Sequence, residues 1–375
     1  MRYLSKIWDW KTFADFCNED EHVILGLMSG TSADGLDIAN VKFRLNGKEI
    51  TYEILDATSI EYGRDFQKRI IDAYSKETSN VEYITKLNFE IAKQHAHMIK
   101  KLNWEYDFIA YHGQTVHHLP SFGATLQIGE PDVLSVVLEK PVIHGFRTKD
   151  MALDGQGAPI SAYFDTYFLL KDTKTVVLNV GGISNITSFT KDGQLIAFDT
   201  GPGNCLIDEV CQRFFGERYD KDGTLSSKGY VEEKILEKLI SKSYEYIQKT
   251  PPKTTGREVF NFDFITDILN YTSKENLLRT LVKYTASMID ISLKKHLPDV
   301  NKIIIFGGGA YNKTLVKDLI DFGYSVEIPD DTLINFREAI AIAFLGELFL
   351  RGQVFEKTVT GAQRPSLLGK LSLPV

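Results

Sequence analysis

Three short segments carry residue types that could do chemistry. The sharpest is Phe198-Asp199-Thr200-Gly201-Pro202-Gly203-Asn204, which puts an acid at the end of an apolar strand, just before a Gly-Pro-Gly turn and a helix. A carboxylate on a rigid element, open to a cleft, suits a general base. Asp is also a good helix cap, but the cap falls nearer Gly203 or Asn204, which leaves Asp199 free. The second segment is the loop Ser29-Gly30-Thr31-Ser32-Ala33-Asp34-Gly35-Leu36-Asp37. Successive backbone N–H groups in such a turn form a nest for phosphate oxygens, and Gly30 and Gly35 let the backbone approach a ligand closely. Asp34 and Asp37 could hold magnesium through water, since that ion keeps several waters and takes few carboxylates. A tight hairpin with capping hydroxyls would use the same residues. The third segment is Phe306-Gly307-Gly308-Gly309-Ala310-Tyr311-Asn312-Lys313-Thr314. A P-loop needs Gly directly before Lys-Thr, where Asn312 stands, so that motif is excluded. Glycines between a buried strand and a helix still admit a flat ligand or a phosphate; a plain strand–helix turn would look the same.

Further candidates are more diffuse. His112-Gly113-Gln114-Thr115 ends a short strand, Phe108–Tyr111, with side chains suited to a polar ligand such as a sugar. Arg147 and Asp150 precede Gly155-Gln156-Gly157-Ala158-Pro159; the arginine could clamp a carboxylate or form a salt bridge between domains. Glu338 lies near the start of an apolar helix read over Phe336–Leu350, where it could assist catalysis or cap the helix. His117 and His118 are adjacent and diverge, and His95 and His97 sit two apart on a helix, so no zinc site is expected.

The elements that position these residues occur in two similar sets. The runs 23–28, 36–45 and from Glu49 are joined by the Ser29–Gly35 loop and an Asn46-Gly47 turn; the runs 176–180, after Gly181–Asn185, and 195–199 share the plan, with Asp192-Gly193 as the turn. Asn-Gly and Asp-Gly between apolar runs signal hairpins of type I′, which need positive φ twice. Each copy reads as a three-stranded meander. Helical spacing follows over Arg64–Lys76, Asn80–Leu102, Pro159–Leu170, 203–215, Ser226–Gln248, Lys274–Leu297 and Lys313–Phe322, with further strands at Thr125–Ile128, Val142–Phe146 and Lys302–Phe306. The class is α/β, with helices packed on mixed sheets. Residues 1–22 read as an accessory helix, 351–375 as a loosely structured tail, and the boundary between halves falls near 145–160.

Composition excludes several roles. With 375 residues there is room for two well-buried domains. A net charge of −7 argues against a general nucleic-acid binder or an anionic-membrane binder. The three cysteines, Cys17, Cys205 and Cys211, form no CxxC and fit a reducing cytoplasm. No signal peptide and no apolar stretch of about 18 residues is read.

Taken in order, the segments resemble the anhydro-N-acetylmuramic acid kinases. The resemblance rests on Gly26 to Asp37, His112 to Thr115, Leu126-Gln127-Ile128-Gly129-Glu130-Pro131, Phe146-Arg147, Gly155 to Pro159, Asn179 to Asn185, Phe198 to Asn204, Pro251-Pro252-Lys253-Thr254-Thr255-Gly256-Arg257-Glu258 and Gly307 to Asn312. It covers about residues 23–350. The chain departs from the family pattern at Gly145, Asp154 and Glu130. The resemblance implies the actin/hexokinase/Hsp70 class: two ribonuclease-H-like domains with mixed five-stranded sheets flanked by helices and an ATP cleft between them. Residues 1–22 would be an extension, 23–147 completed by 340–375 the first domain, and 148–339 the second. ATP would be held by Gly30, Thr31, Ser32, Ala33, Asp34, Gly35, Leu36 and Asp37, by Gly181, Gly182 and Asn185, and by Gly307, Gly308, Gly309 and Asn312. The sugar would meet His112, Gln114, Thr115, Glu130, Arg147, Gln156, Gly201 and Asn204, with Asp199 and Glu338 catalytic and Mg2+ at Asp34 and Asp37. The implied reaction converts 1,6-anhydro-N-acetylmuramic acid, water and ATP to N-acetylmuramic acid 6-phosphate during peptidoglycan recycling in the cytoplasm. A homodimer is compatible, since sugar kinases of this class often pair. A kinase for another sugar or polyol, or an actin- or Hsp70-like ATP-driven binding module, would share the fold.

Overall fold

The computed structural model describes residues 9–355 and 359–374; the expected N-terminal extension is thus described from residue 9. The chain divides into two compact units, one built from residues up to Phe164 and from Phe336 onward, the other from Asp165–Asn335. The crossings therefore fall at 164/165 and 335/336, where the sequence reading set them at 147/148 and 339/340.

The first unit contains α1 (Trp10–Cys17), β1 (Glu21–Ser29), β2 (Gly35–Asn46), β3 (Glu49–Glu61), α2 (Arg64–Asp72), α3 (Val81–Lys100), β4 (Phe108–Leu119), β5 (Ala124–Ile128), α4 (Pro131–Leu138), β6 (Val142–His144), α5 (Phe146–Met151) and α6 (Ser161–Phe164). The second contains β7 (Thr175–Val180), β8 (Ile183–Phe189), β9 (Leu195–Pro202), α7 (Cys205–Val210), α8 (Glu233–Lys242), α9 (Tyr244–Gln248), α10 (Lys274–His296), β10 (Lys302–Phe306), α11 (Lys313–Asp321) and β11 (Ser325–Glu327). Helix α12 (Asp331–Leu350) leads back to the first unit, which closes with β12 (Lys370–Ser372).

The two sheets share one plan. The first runs β12-β6-β4-β1-β2-β3, with β5 paired to β4, and the second runs β11-β10-β7-β8-β9. In each, three strands form an antiparallel meander and the first of them pairs in parallel with the next strand outward: β1 with β4, and β7 with β10. This is the five-stranded ribonuclease-H-like order, duplicated; β5 and β12 are additions to the first copy. The central strands β1 and β7 are apolar on both faces because helices cover both sides.

Helix α12 is apolar all round, with Ala339 to Leu345 buried, the signature of a core helix. Its backbone lies directly on the sheet. A Cβ added to Gly26 in β1 would sit 2.0 Å from the Ala339 carbonyl oxygen, and one added to Gly346 would sit 2.9 Å from Ala110 Cβ. Helix α1 is capped by Asp9 and sets Phe13 and Phe16 edge-on against Phe108. It is anchored through His22, whose Nε2 lies 2.9 Å from the Phe16 carbonyl and whose Nδ1 lies 2.7 Å from the buried Glu347 Oε2, while Arg351 Nε donates to Glu347 Oε1 at 2.8 Å.

Several expectations need correction. The strand read over Phe108–Tyr111 continues to Leu119 because it pairs with β5, so His112 to Thr115 lie within β4 rather than at its tip. The hairpin turns are not type I′: only Gly47 and Gly193 take positive φ, while Asn46 and Asp192 do not. The loop read as Gly181–Asn185 is only two residues, since β8 begins at Ile183. The helices read over Pro159–Leu170 and Ser226–Gln248 are broken into short pieces. Helix α12 begins at Asp331, so Glu338 lies two turns inside it and cannot be its cap. The tail is not all loose: β12 pairs antiparallel with β6. Among the described residues, no helix is long and apolar enough to cross a membrane.

The Gly26 contact yields a direct test. Backbone cannot move aside as a side-chain end can, so Gly26→Val is expected to cost about 3 kcal/mol or more by overpacking. Thermal unfolding followed by circular dichroism should show a midpoint several degrees lower.

Candidate active site

In the first unit the loop after β1 is fastened from below. Gln114 is fully buried; its Nε2 donates to the Gly30 carbonyl at 2.9 Å, and its Oε1 accepts from Ser29 Oγ at 2.5 Å. The side chain expected to touch sugar therefore holds the loop. Thr31, Ser32 and Asp34 are exposed, while Ala33, Gly35 and Leu36 are buried. Ser32 Oγ donates to Asp34 Oδ1 at 2.9 Å, and Ala33 takes positive φ. Asp37 lies half-buried at the start of β2. Burial raises its carboxyl above the usual range, a Ser59 hydrogen bond opposes this, and the negative charges of Asp34 and Glu338 add to the rise. Glu338 is itself exposed. A carboxylate destabilised by burial and by two other carboxylates suits a cation, and water-mediated Mg2+ needs few direct ligands.

His112 and Arg147 meet in the same unit. His112 Nδ1 donates to the Gly113 carbonyl at 2.8 Å, which leaves Nε2 to accept from Arg147 Nε at 2.8 Å. Burial, with the Arg147 charge, lowers His112 to about 3, so the ring is neutral. The pair fixes the guanidinium plane, and the charge of Glu338 acts on it; a guanidinium so held suits a bidentate partner. A cavity of about 380 Å³ adjoins His112, lined also by Gln127, Glu130, His144 and Lys370 among others. Glu130 caps α4 through Oε1, which accepts from the Asp132 N–H at 3.5 Å, and accepts from Asn88 Nδ2 through Oε2 at 3.2 Å, so both oxygens serve structure. Thr115 accepts from Gln127 at 3.2 Å, and Gln156 is exposed.

In the second unit Asp199 lies within β9, opposite Asn185 and beside the bulge at the Ser184/Asn185 register shift. Its backbone N–H donates to the Lys253 carbonyl at 3.0 Å, its carbonyl accepts from Tyr246 OH at 2.6 Å, and its Oδ2 accepts from the Thr255 N–H at 2.9 Å. Burial raises the carboxyl above its ordinary value, opposed by that one hydrogen bond. Thr255 Oγ1 is buried without a hydrogen-bond partner. A poised carboxylate thus sits beside an unsatisfied hydroxyl, the arrangement expected where a small polar molecule is to be received. The Thr254-Thr255 pair was quoted in the sequence only as motif; its contact with Asp199 required the fold.

The Gly181-Gly182 turn receives the start of α7: the N–H groups of Asn204 and Cys205 donate to the Gly181 and Gly182 carbonyls at 2.8 and 3.1 Å. The Arg257 guanidinium lies so close that a Cβ on Gly182 would be 3.1 Å from Nη2. Arg257, Asn204, Asp208, Arg218, Gly308 and Asn312 border a cavity of about 680 Å³, within the size range of small-molecule sites. Gly308 faces it, while Gly307 and Gly309 pack on Val180, and Gly201 packs on Met288. Asn312 caps α11, accepting from the Thr314 and Leu315 N–H groups at 3.1 Å each, which explains why it stands where a P-loop would have glycine. Asp208, unremarked in the sequence, is the most perturbed acid of this cavity. Burial raises it to about 6, Arg257 and Arg218 lower it, and Asp220 raises it. Its only sequence signal was the four-residue spacing from Asn204 on one helix face.

Two units of this strand order define the class, the ribonuclease-H-like ATPases that include many sugar kinases. Within that class the family is specific. The model of "Anhydro-N-acetylmuramic acid kinase" matches residues 22–373. A relative so named from Bacillus cereus is 39% identical over 388 residues, covering 94% of this chain and 99% of its own. Another from Bacillus thuringiensis subsp. konkukian is 38% identical with the same coverage. Among solved structures, a ligand-bound xylulose kinase from Lactobacillus acidophilus is similar at a TM-score of 0.43 and 9% identity, over 94% of each chain. The chain belongs to the anhydro-N-acetylmuramic acid kinase family and is an ATP-using phosphotransferase.

The raised Asp208 predicts a pH-dependent stability. Its folded pKa lies above the ordinary 3.8, so between these values the folded state holds more protons than the unfolded state, and stability falls as pH rises from about 4 through 6. Asp208→Asn should raise the thermal midpoint at pH 7.5 more than at pH 4.5, as paired melts will show.

Proposed function

We propose that the chain converts 1,6-anhydro-N-acetylmuramic acid, water and ATP to N-acetylmuramic acid 6-phosphate and ADP. The observation that carries the catalytic assignment is the half-buried Asp199 carboxylate, held by the Thr255 N–H beside the unpartnered Thr255 hydroxyl. Asp199 takes the proton of a water whose oxygen attacks C1. The C1–O6 bond breaks, O6 attacks the γ-phosphorus, and ADP leaves. Where a glycosidase uses a second carboxyl group as the acid for its leaving group, the transferred phosphoryl here captures O6.

Arg147, oriented by neutral His112, binds the lactyl carboxylate. The loop from Gly30 to Asp37 and the Gly181-Gly182 turn with Arg257 stabilise phosphate charge through backbone N–H groups and the guanidinium. The cavity bordered by Asn204, Gly308 and Asn312 takes the adenosine. Asp37 and Asp34 would hold Mg2+, which would neutralise developing phosphate charge. Glu338, whose charge acts on both Asp37 and Arg147, assists catalysis beside them. Cys17, Cys205 and Cys211 are free thiols, consistent with work in the cytoplasm.

Coupled ADP release with and without the anhydrosugar tests the reaction. ADP release that depends on the anhydrosugar and not on other sugars or polyols is expected; sugar-independent turnover would refute it. Asp199→Asn should lower kcat by ~10²-fold or more, the usual worth of a general base, with the KM for ATP nearly unchanged. Because burial holds Asp199 above the ordinary carboxyl range, the acid limb of kcat/KM should lie above pH 3.8.

A further inference from the structure

Below the Gly30 loop lies a run of buried polar side chains that the proposed chemistry does not use. It can be read atom by atom from one fixed end. The Gly30 carbonyl only accepts, so Gln114 must present Nε2 to it, at 2.9 Å, and Oε1 to the other side. Oε1 only accepts, so Ser29 directs its single hydroxyl proton there at 2.5 Å, the Gly35 carbonyl being farther at 3.1 Å. Tyr62 OH, 3.0 Å from Ser29 Oγ, must then donate to Ser29. His95 Nε2 is 2.6 Å from Tyr62 OH, whose proton is already assigned, so Nε2 carries hydrogen. Nδ1 is left as acceptor, and Tyr111 OH donates to it at 2.9 Å. One proton order satisfies every atom.

The far end of the run supports a second loop. A Cβ on Gly129 would lie 2.0 Å from Tyr111 OH, so the Gly129 backbone rests on that hydroxyl, and its N–H donates to Asn88 Oδ1 at 2.7 Å. Gly129 lines the 380 Å³ cavity with His112 and Glu130. His95 is wholly buried, and Tyr62 and Tyr111 nearly so.

We propose that this ordered chain, Tyr111 to His95 to Tyr62 to Ser29 to Gln114, fixes the loop that binds ATP phosphate, with His95 as a positioning residue held in its Nε2–H tautomer. The proposal rests on the reading of Gly30–Asp37 as the phosphate loop. Burial lowers His95 to about 3, with no charged neighbour contributing, so the ring stays neutral across the working pH range and the polarity of the chain does not invert. Breaking one link leaves a buried donor or acceptor unpaired, and the neighbours must shift to find partners. The shift ends at the Gly30 carbonyl, which also accepts from the Ala33 N–H at 3.1 Å and so sets the turn of the loop.

Steady-state kinetics on the full chain test this. Tyr62→Phe removes one oxygen from the middle of the run; it should raise the KM for ATP about tenfold while the KM for anhydrosugar stays within twofold. His95→Phe should do at least as much. His95→Gln, which restores one donor and one acceptor, should recover most of the loss. The double variant Tyr62→Phe/His95→Phe should be little worse than His95→Phe alone, because both cut one chain. A lower melting temperature with unchanged KM for ATP in Tyr62→Phe would overturn the proposal, and so would failure of Gln to rescue. If His95→Phe does not fold, Tyr62→Phe and His95→Gln carry the test. Gly30→Val separates the two readings: a Cβ there meets nothing nearer than Ser32 Oγ at 3.7 Å, so the variant folds but obstructs the loop. An unchanged KM for ATP in Gly30→Val would sink the phosphate-loop reading itself. A raised KM there, with Tyr62→Phe normal, would sink only the chain.

Discussion

A buried polar atom must find a partner, and in this protein that constraint fastens the loops expected to meet ligand. Gln114 has no exposure, and its amide is used on Gly30 and Ser29. Asn204 donates from Nδ2 to the Val180 carbonyl at 3.2 Å and so ties the start of α7 to the end of β7. Asn312 caps α11 with its oxygen, and Asp220 accepts from the Leu225 N–H at 2.8 Å. Leaving any of these unpaired would cost about 1–3 kcal/mol, so each loop has few alternative positions. Rigid loops suit a kinase, whose donors must be aimed before charge develops.

The duplicated sheet shows how one scaffold supports two different tasks. Strand order and direction are the same in both units, yet the first meander carries a five-residue loop between Ser29 and Gly35 and the second only Gly181-Gly182. The longer loop offers backbone N–H groups and one exposed acid, Asp34. The shorter one has no side chains of its own and borrows the charge of Arg257. The additional strands β5 and β12 belong only to the first unit, and the segments beside them, from Gln127 to Glu130 and His144 to Gly145, line its cavity.

Electrostatics sets the acids apart by their surroundings. Asp37 and Asp199 are both raised by burial, but their surroundings differ. Asp37 faces two further carboxylates, which favours a cation. Asp199 faces a backbone N–H and an unpaired hydroxyl, which favours proton transfer with a small molecule. Asp208 lies among arginines and is destabilised by burial all the same, a cost in stability of the kind that functional cavities carry.

The sequence by itself determined the two meanders, the α/β class and the glycine-bearing loops, because these depend on local patterning: alternation, turn residues and small side chains leave a signal within a few positions. It misjudged lengths and ends where a partner decides them. Strand β4 runs past His112 because β5, fourteen residues on from Gln114 at Ile128, supplies its hydrogen bonds, and α12 starts before Phe336 because Asp330 caps it, Oδ1 accepting from the Leu333 N–H at 2.9 Å. Only the tertiary structure could show that Gln114 faces inward, that Thr255 holds Asp199, or that His95 joins Tyr62 to Tyr111. Those are contacts between residues 16 to 85 positions apart, and their geometry follows from how strands and helices pack, which no local pattern encodes.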